Sequence, residues 1–175
     1  EVKKIPVGLP WIDTNVVGPV VSKKQFDSVH RFIQSGIKEG AKLELGGDSP
    51  KSEDLKDGFF INPTIFSKVT STMTIANQEI FGPVISVMTW ENYDEMMSIA
   101  NSTEYGLTAG IVTNSLSNAM KTAEEIECGY VWINTAGRYA SAPYGGWKLS
   151  GIGVEECYDE LKSYSRVKNI NMKWL

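Results

Sequence analysis

Residues 84–134 alternate short apolar runs with amphipathic helical patterns, and this alternation constrains the fold more than any other feature of the sequence. The runs VISVMTW (84–90), LTAGIVT (107–113) and YVWIN (130–134) have the length and apolar content of strands buried on both faces. Between them, apolar residues recur at the spacings of three and four that are typical of a helix. Two βα units followed by a strand predict a parallel sheet with right-handed crossovers, so the predicted fold class is α/β.

The chain before this region predicts one long helix. A loop rich in proline and glycine, residues 5–19, comes first. Ser22 and Gln25 then have the spacing of a capping box, with Ser22 as the N-cap. Gly40 should end the helix. The apolar face of this helix consists of Phe26, Val29, Ile33 and Ile37.

Shorter elements complete the prediction. The stretches 41–47 and 58–69 are rich in strand-forming residues and should each contain a strand. Asn92, with Glu95 three residues later, should cap a short helix. Another short helix is expected around 155–161, just before the end of the chain.

The terminal segment SYSRVKNINMKW (163–174) alternates polar and apolar side chains, as a strand does. Nothing follows to cover it, so we expect a long edge strand at the C-terminus. Pairing with another chain is the natural protection for such an edge, which predicts a homo-oligomer. We therefore divide the chain into a domain, residues 1–162, and an oligomerisation strand, residues 163–175.

Composition excludes several classes of protein. The net charge of −4 and the pI near 5.1 argue against a protein that binds nucleic acid or an anionic membrane surface. No apolar run approaches the roughly 20 residues of a membrane span. Two separated cysteines, Cys128 and Cys157, fit reduced thiols in a cytoplasmic protein. The first residue is Glu1 rather than Met, so we expect the chain to begin within a longer gene product.

The common catalytic and metal-binding motifs are missing from the sequence. Gly151 and Gly153 supply the first half of a dinucleotide fingerprint, but Glu156 stands where its third glycine belongs. His30 is the single histidine and lies on or beside an apolar helix face, so we expect it to be packed. One histidine without a Cys/His cluster predicts no metal site and no Cys–His or Ser–His–Asp arrangement.

One charged residue stands out in the run NQEIFGPVIS (77–86), where Glu79 precedes a buried-looking strand. An ionised carboxylate can accept hydrogen bonds from two vicinal hydroxyls, and ribose diols are bound in this way at dinucleotide sites. The alternative is a structural carboxylate that accepts hydrogen bonds from backbone N–H groups. The residues alone leave both interpretations open.

The glycine-rich stretch 137–153 also has two interpretations. Its large side chains could line a pocket, or they could pack a long loop; they are Arg138, Tyr139, Tyr144 and Trp147. Lys148, between Trp147 and Leu149, has the pattern of a solvated or snorkelling side chain.

Taken together, the motifs of this chain resemble the C-terminal third of the NAD(P)-dependent aldehyde dehydrogenase superfamily. The likeness covers almost all of the chain in the family's order and spacing. The matching segments are VGLPWIDTNVVGPVVSKKQF (7–26), INPTIF (61–66), NQEIFGPVIS (77–86), YGLTAGIVTN (105–114), GYVWIN (129–134), APYGGWKLSGIGVE (142–155) and SYSRVKNI (163–170).

The resemblance implies roles for individual residues. Glu79 would hold the ribose of the nicotinamide in NAD or NADP, Phe81 would contact the nicotinamide side, and Leu107 would line the same end of the site. Asn134 and the loop 135–142 match the family's substrate-anchoring loop.

Two tyrosines and an arginine complete the substrate residues that the resemblance implies. Tyr139 belongs to the anchoring loop, and Tyr144 matches an aromatic position near the aldehyde channel. Arg138 in the loop suggests a substrate that carries a carboxylate. The terminal strand matches the strand that pairs with a neighbouring subunit.

The resemblance implies oxidation of an aldehyde to a carboxylic acid with NAD(P)+. The family's nucleophilic cysteine, general base and Rossmann domain match no part of this sequence, so we assign no catalytic residue and expect the chain alone to be inactive. The alternative is a non-catalytic binding or oligomerisation module. Two departures, Val154 where the family commonly has Arg and Arg166 where it often has Glu, question the usual interface salt bridge.

Overall fold

The computed structural model describes residues 1–13 and 16–174, and the chain forms two compact units that meet in sequence at Trp90 and Glu91. Unit 1 begins with a 3₁₀ turn, Val2–Lys4, and unit 2 ends in an extended tail. The elements of unit 1 are α1 (Lys23–Lys38), β1 (Lys42–Leu45), β2 (Thr64–Ser67), α2 (Thr74–Asn77) and β3 (Val84–Ser86). Those of unit 2 are α3 (Tyr93–Asn101), β4 (Tyr105–Gly106), β5 (Thr108–Ile111), α4 (Leu116–Glu125), β6 (Tyr130–Ile133), β7 (Trp147–Lys148) and α5 (Tyr158–Ser163).

Helix α1 begins where the sequence predicts. The Ser22 hydroxyl accepts a hydrogen bond from the Gln25 N–H at 3.2 Å, which satisfies one of the unpaired donors at the helix start. Val29 and Ile33 on its apolar face are fully buried. His30 stacks edge-on against Phe26 at 4.5 Å and lies 3.2 Å from the Ser49 hydroxyl, so it is packed, as predicted.

Unit 1 buries its apolar residues in one core under a three-stranded sheet. The strand order is β1-β2-β3, with β1 antiparallel and β3 parallel to β2. Phe66 in the central strand is fully buried. The buried core consists of Val29, Ile33, Ala41, Ile61, Phe66, Val69, Met73, Ile75 and Ile80.

The strand expected over residues 84–90 is shorter and more exposed than predicted. Only Val84–Ser86 pair with β2, and Ile85 and Trp90 are largely exposed. Because β3 is the edge strand of its sheet, its apolar run is not buried on both faces. The prediction of a fully buried strand is therefore wrong here.

Unit 2 contains a βαβ arrangement. Strands β5 and β6 pair in parallel, with Thr108 opposite Tyr130 and Ile111 opposite Ile133, and α4 connects them. This confirms the parallel pairing predicted for the second βα unit, whereas the strand of the first, β3, pairs with β2 instead. Helix α3 is capped by Asn92, whose side chain accepts a hydrogen bond from the Glu95 N–H at 2.9 Å, also as predicted.

The C-terminal segment forms no strand in this chain. Helix α5 extends to Ser163, and residues 165–174 are exposed and have no strand assignment. A strand is stabilised by hydrogen bonds to a neighbour, and the described residues of this chain supply no neighbour here. The terminal edge strand expected over residues 163–174 is thus not formed among the described residues. Pairing with a second chain, and the division at residue 162, stay predictions.

Membrane insertion finds no support in the helices. Among residues 1–13 and 16–174 there is no helix with the length and apolar content that crossing a bilayer requires.

Candidate functional site

The loop that follows α2 in unit 1 presents two side chains outward and one inward. Ile80 is 9% exposed and belongs to the core, whereas the neighbouring Phe81 ring is 75% exposed. Phe81 has a φ of 50°, the left-handed region that residues with a Cβ rarely adopt. Glu79 is exposed as well. The alternation of Glu79, Ile80 and Phe81 anchors the loop through its centre and leaves both flanking side chains free to meet a ligand.

Helix α1 supports this loop from below. The Gln25 side-chain amide donates to the Ile80 carbonyl at 2.9 Å and to the Phe81 carbonyl at 3.1 Å. One turn further along α1, Val29 lies so close to Gly82 that a Cβ on Gly82 would stand 2.6 Å from a Val29 methyl. The glycine is required by this close approach of loop and helix.

A surface cavity of about 350 Å³ lies beside the loop, and both predicted cofactor residues of unit 1 line it. Within the described part of the chain, no hydrogen bond or ion pair reaches the Glu79 carboxylate, and the side chain is exposed. Its lone pairs are therefore available to external donors. An acceptor-only group beside an exposed aromatic ring fits the ribose hydroxyls and the ring of a nicotinamide nucleotide. Among the described residues no backbone donor meets Glu79, and its role as a cofactor contact stays a prediction.

Unit 2 has its own cavity, of about 580 Å³, which brings together two predicted residues. Leu107 lies between β4 and β5, and its carbonyl accepts the Tyr130 N–H at 3.1 Å. Tyr144 lines the same cavity and packs against the Tyr130 ring with centroids 5.6 Å apart. The predicted nicotinamide-end residue and the predicted aldehyde-channel aromatic thus share one concave surface.

The Asn134 side chain is bonded to the backbone of Thr113. Its amide accepts from the Thr113 N–H at 3.0 Å and donates to the Thr113 carbonyl at 2.7 Å. The residue has a φ of 54° and follows the end of β6. These bonds join the ends of β5 and β6, so the Asn134 side chain is occupied with backbone groups in this structure.

Arg138 and Tyr139 lie in the loop after β6, and only Arg138 contacts the cavity lining. Its guanidinium stacks on the Tyr144 ring at 3.9 Å and forms an ion pair with Glu156 at 2.8 Å. The Tyr139 side chain is 65% exposed, while its N–H approaches the Tyr130 hydroxyl at 3.4 Å. Glu156 therefore neutralises the charge of Arg138. In the sequence, Glu156 was notable only because it stands where the third glycine of a dinucleotide fingerprint belongs.

Lys148 was expected to be solvated or snorkelling; it keeps part of its surface exposed, and its ammonium has partners within the chain. Its ammonium donates to the Asn101 and Thr103 carbonyls at 2.7 and 3.1 Å and pairs with Glu127 at 2.6 Å. The side chain is only 24% exposed. A cation at the end of α3 meets the partial negative charge of the helix C-terminus. Lys148 thereby fixes β7, which continues into the cavity-lining segment that begins at Ser150.

The two cysteines lie in different environments. Both are free thiols, and burial raises the pKa of the Cys128 thiol, so the thiolate is disfavoured. Cys157 is the N-cap residue of α5 and is half-buried. The described residues also contain no group of three or more potential metal ligands.

Comparison with known proteins decides the family. The aldehyde dehydrogenase family profile matches residues 1–170. Retinaldehyde dehydrogenase 3 of Rattus norvegicus is 46% identical over 172 residues, which cover 98% of this chain and 33% of the relative. The chain belongs to the aldehyde dehydrogenase family. A putative aldehyde dehydrogenase of Staphylococcus haemolyticus is 46% identical over 170 residues, covering 97% of this chain and 36% of that protein.

Solved aldehyde dehydrogenase structures share the fold. The enzyme of Mycobacterium tuberculosis, complexed with NAD+, superposes with a TM-score of 0.88 at 38% identity, covering 94% of this chain and 34% of that one. Betaine aldehyde dehydrogenase of Staphylococcus aureus, also with NAD+, gives 0.87 at 36% identity, covering 93% and 33%. The predicted α/β fold of aldehyde dehydrogenase type is confirmed. The chain spans about a third of the length of the aldehyde dehydrogenases it matches.

Proposed function

We propose that the protein carrying this chain oxidises an aldehyde to a carboxylic acid with NAD(P)+, and that this chain contributes the nicotinamide-ribose contact. The observation that carries the proposal is the exposed, unpartnered Glu79 carboxylate beside the exposed Phe81 ring, on a loop that a buried Ile80 anchors. Family membership and the NAD+ complexes of related structures support it.

In the proposed reaction the bound dinucleotide would accept the hydride. Glu79 accepts hydrogen bonds from the two ribose hydroxyls and so fixes the rotation of the nucleoside. Phe81 covers one side of the nicotinamide and excludes water from it. Leu107 belongs to unit 2, where it lines the other cavity, and we propose it as a cofactor contact on its motif alone. We assign no covalent step to a residue of this chain.

The substrate contacts that we propose come from the loop after β6 and from Tyr144. Tyr139 and Tyr144 offer aromatic walls for the aldehyde, and Asn134 holds the start of that loop through Thr113. Arg138 would bind a substrate carboxylate only after release from Glu156. Neutral aldehydes are therefore favoured in this proposal.

The remaining parts of the proposal concern oligomerisation, the cellular compartment and the choice of cofactor. Residues 163–174 would pair with a second copy, because their alternating apolar side chains are exposed and unpaired here. The two free thiols fit the reducing cytoplasm. The choice between NAD and NADP depends on residues that contact the adenosine ribose, and we assign that contact to no residue of this chain.

Replacing one oxygen of Glu79 tests the proposal. In the full-length gene product, Glu79→Gln should raise the Kd for NAD(P)+ about tenfold or more, since hydrogen bonds to a charged group each contribute about 1.5–3 kcal/mol. Titration calorimetry measures this directly. Asp57→Asn is the matched control, because it neutralises an exposed carboxylate of the same unit away from the loop. Unchanged affinity in Glu79→Gln would overturn the proposed contact.

A further inference from the structure

We propose that Gln25 is a positioning residue for the cofactor contact: its amide holds the loop 79–82 so that Glu79 and Phe81 face the nucleotide. The inference rests on the proposed function above. It assigns a role to a side chain on α1 through its contacts with this loop.

The hydrogen bonds of Gln25 carry the first step. A capping box would send the Gln25 side chain back to the start of its own helix, and the sequence predicts that arrangement. In the structure Ser22 still caps the helix, but the Gln25 amide donates instead to the carbonyls of Ile80 and Phe81, at 2.9 and 3.1 Å. The reciprocal half of the predicted capping box is thus wrong. These two hydrogen bonds join Gln25 to residues that lie 55 and 56 positions further along the chain.

The loop 79–82 has few interactions of its own that fix its backbone, so contacts from other elements must hold it. Phe81 has a left-handed φ of 50°, a conformation that costs free energy in any residue with a Cβ. Pro83 follows and offers no N–H for a turn hydrogen bond. A strained backbone of this kind persists only where the surrounding contacts fix it. The Gln25 amide provides such contacts, because it binds the carbonyls of both Ile80 and Phe81.

The same face of α1 supplies the second constraint. Gln25 and Val29 are four residues apart and lie one above the other on the helix. Val29 packs against Gly82 so closely that no side chain fits there. Donor and apolar contact therefore act on consecutive loop residues from Ile80 to Gly82, and α1 is the rigid element that sets their position.

This geometry requires a donor at position 25. Gln25→Leu keeps the bulk and the helix but removes both hydrogen bonds. Gln25→Glu keeps the shape but presents a carboxylate to two carbonyl oxygens, so it should be at least as harmful as leucine. Gln25→Lys retains N–H donors and should restore part of the effect. Gln34→Leu is the matched control, since Gln34 is an exposed glutamine on the same helix.

Affinity for NAD(P)+ in the full-length gene product is the first measurement. We expect Gln25→Leu and Gln25→Glu to raise the Kd about tenfold, Gln25→Lys to lie between them and wild type, and Gln34→Leu to bind like wild type. In the free protein, hydrogen exchange at Phe81 and Gly82 should be faster in Gln25→Leu. Wild-type affinity in both Gln25→Leu and Gln25→Glu would overturn the inference.

A double-mutant cycle separates positioning from a general loss of stability. If Gln25 acts through Glu79, the effects of Gln25→Leu and Glu79→Gln on the Kd must be strongly non-additive; additive effects would overturn the positioning role. The two proposals fail differently. If Glu79→Gln weakens binding and Gln25→Leu does not, only the inference about Gln25 falls. If Glu79→Gln has no effect, the proposed function and this inference fall together.

Discussion

The two units of the chain differ in how they use their apolar residues. In unit 1, Val29, Ile33 and Phe66 are fully buried, and the core around them is continuous. In unit 2, the buried apolar residues are Met97, Ala119 and Cys128 among those described, and none is a large side chain at zero exposure. Large apolar side chains of unit 2 that are more than half exposed include Val112, Leu116, Trp147, Leu149, Ile152, Leu161, Val167 and Trp174.

The two units therefore depend to different degrees on packing against other protein. Unit 1 contains the core that positions the loop around Glu79, so the geometry of that loop follows from residues of this chain. An apolar surface as extensive as that of unit 2 is typical of a surface that packs against other protein. Unit 2 thus has more apolar surface available for packing against other protein than its small core can cover.

The largest expected effect tests the core of unit 1. Phe66→Ala removes a fully buried ring from the central strand and should lower the free energy of unfolding by about 3–5 kcal/mol. Leu161→Ala in unit 2 truncates a side chain that is 66% exposed. It should change the free energy of unfolding by less than about 0.5 kcal/mol. Urea unfolding, with hydrogen exchange read separately for each unit, measures both.

Equal losses in these two variants would contradict the comparison. They would mean that Leu161 is buried in the protein as it exists in solution, for example against a second copy. Sedimentation of the Leu161→Ala variant and wild type would then show whether the loss follows oligomer dissociation.

An intermediate effect is expected at a tight point within unit 2. A Cβ on Gly129 would stand 1.7 Å from the Gly145 carbonyl oxygen, so Gly129→Ala must push the cavity-lining segment at Gly145 away. We expect a loss of about 1–3 kcal/mol. Gly110→Ala is the control in the same unit, because its Cβ meets no atom within 4 Å. It should be neutral or slightly stabilising, since it restricts the unfolded chain. Equal thermal midpoints for both variants would show that unit 2 is loosely packed throughout.

Much of the fold could be predicted from local sequence signals. The caps at Ser22 and Asn92 act within one helical turn, and both are confirmed. The predicted apolar face of α1 is buried at Val29 and Ile33, whereas Ile37 near its end is 44% exposed. The βαβ arrangement of β5, α4 and β6 followed from the alternation of apolar runs. The apolar run 84–90 led to the wrong prediction of a fully buried strand. Burial of a strand depends on its neighbours in the sheet, and β3 is at an edge.

The site was only partly predictable, because its geometry comes from contacts between distant residues. Glu79 and Phe81 were singled out by one motif, and the structure places both beside one cavity. Gln25 was assigned to its own helix because the Ser-x-x-Gln spacing is a local signal, whereas its partners lie 55 and 56 residues away. Lys148 was expected to be solvated or snorkelling, and nothing in the neighbouring sequence indicates the carbonyls that its ammonium meets.

The smallest expected effect is a pH dependence in unit 1. The Glu39 carboxylate accepts hydrogen bonds from the Ser35 hydroxyl and, at 2.6 Å, from the Thr74 N–H at the start of α2. The Ser35 hydroxyl first, and Thr74 next, hold the pKa of Glu39 below its usual value of 4.5. Because the folded pKa is the lower one, the unfolded chain binds the proton more readily. The stabilisation is therefore present above pH 4.5 and is lost as the pH falls through the folded pKa.

Glu39→Gln should remove this part of the acid dependence and leave a shallower decline of stability below pH 4.5. Urea midpoints of the variant and wild type, measured between about pH 3 and pH 6, give the comparison. The same exchange at Glu124, an exposed carboxylate of unit 2, should leave the slope unchanged. Because Glu39 caps α2, and α2 leads into the loop with Glu79, acid should also increase hydrogen exchange at Phe81 in wild type more than in Glu39→Gln. Identical slopes in all three proteins would show that Glu39 is solvated, and that the loop depends on the core and on α1 alone.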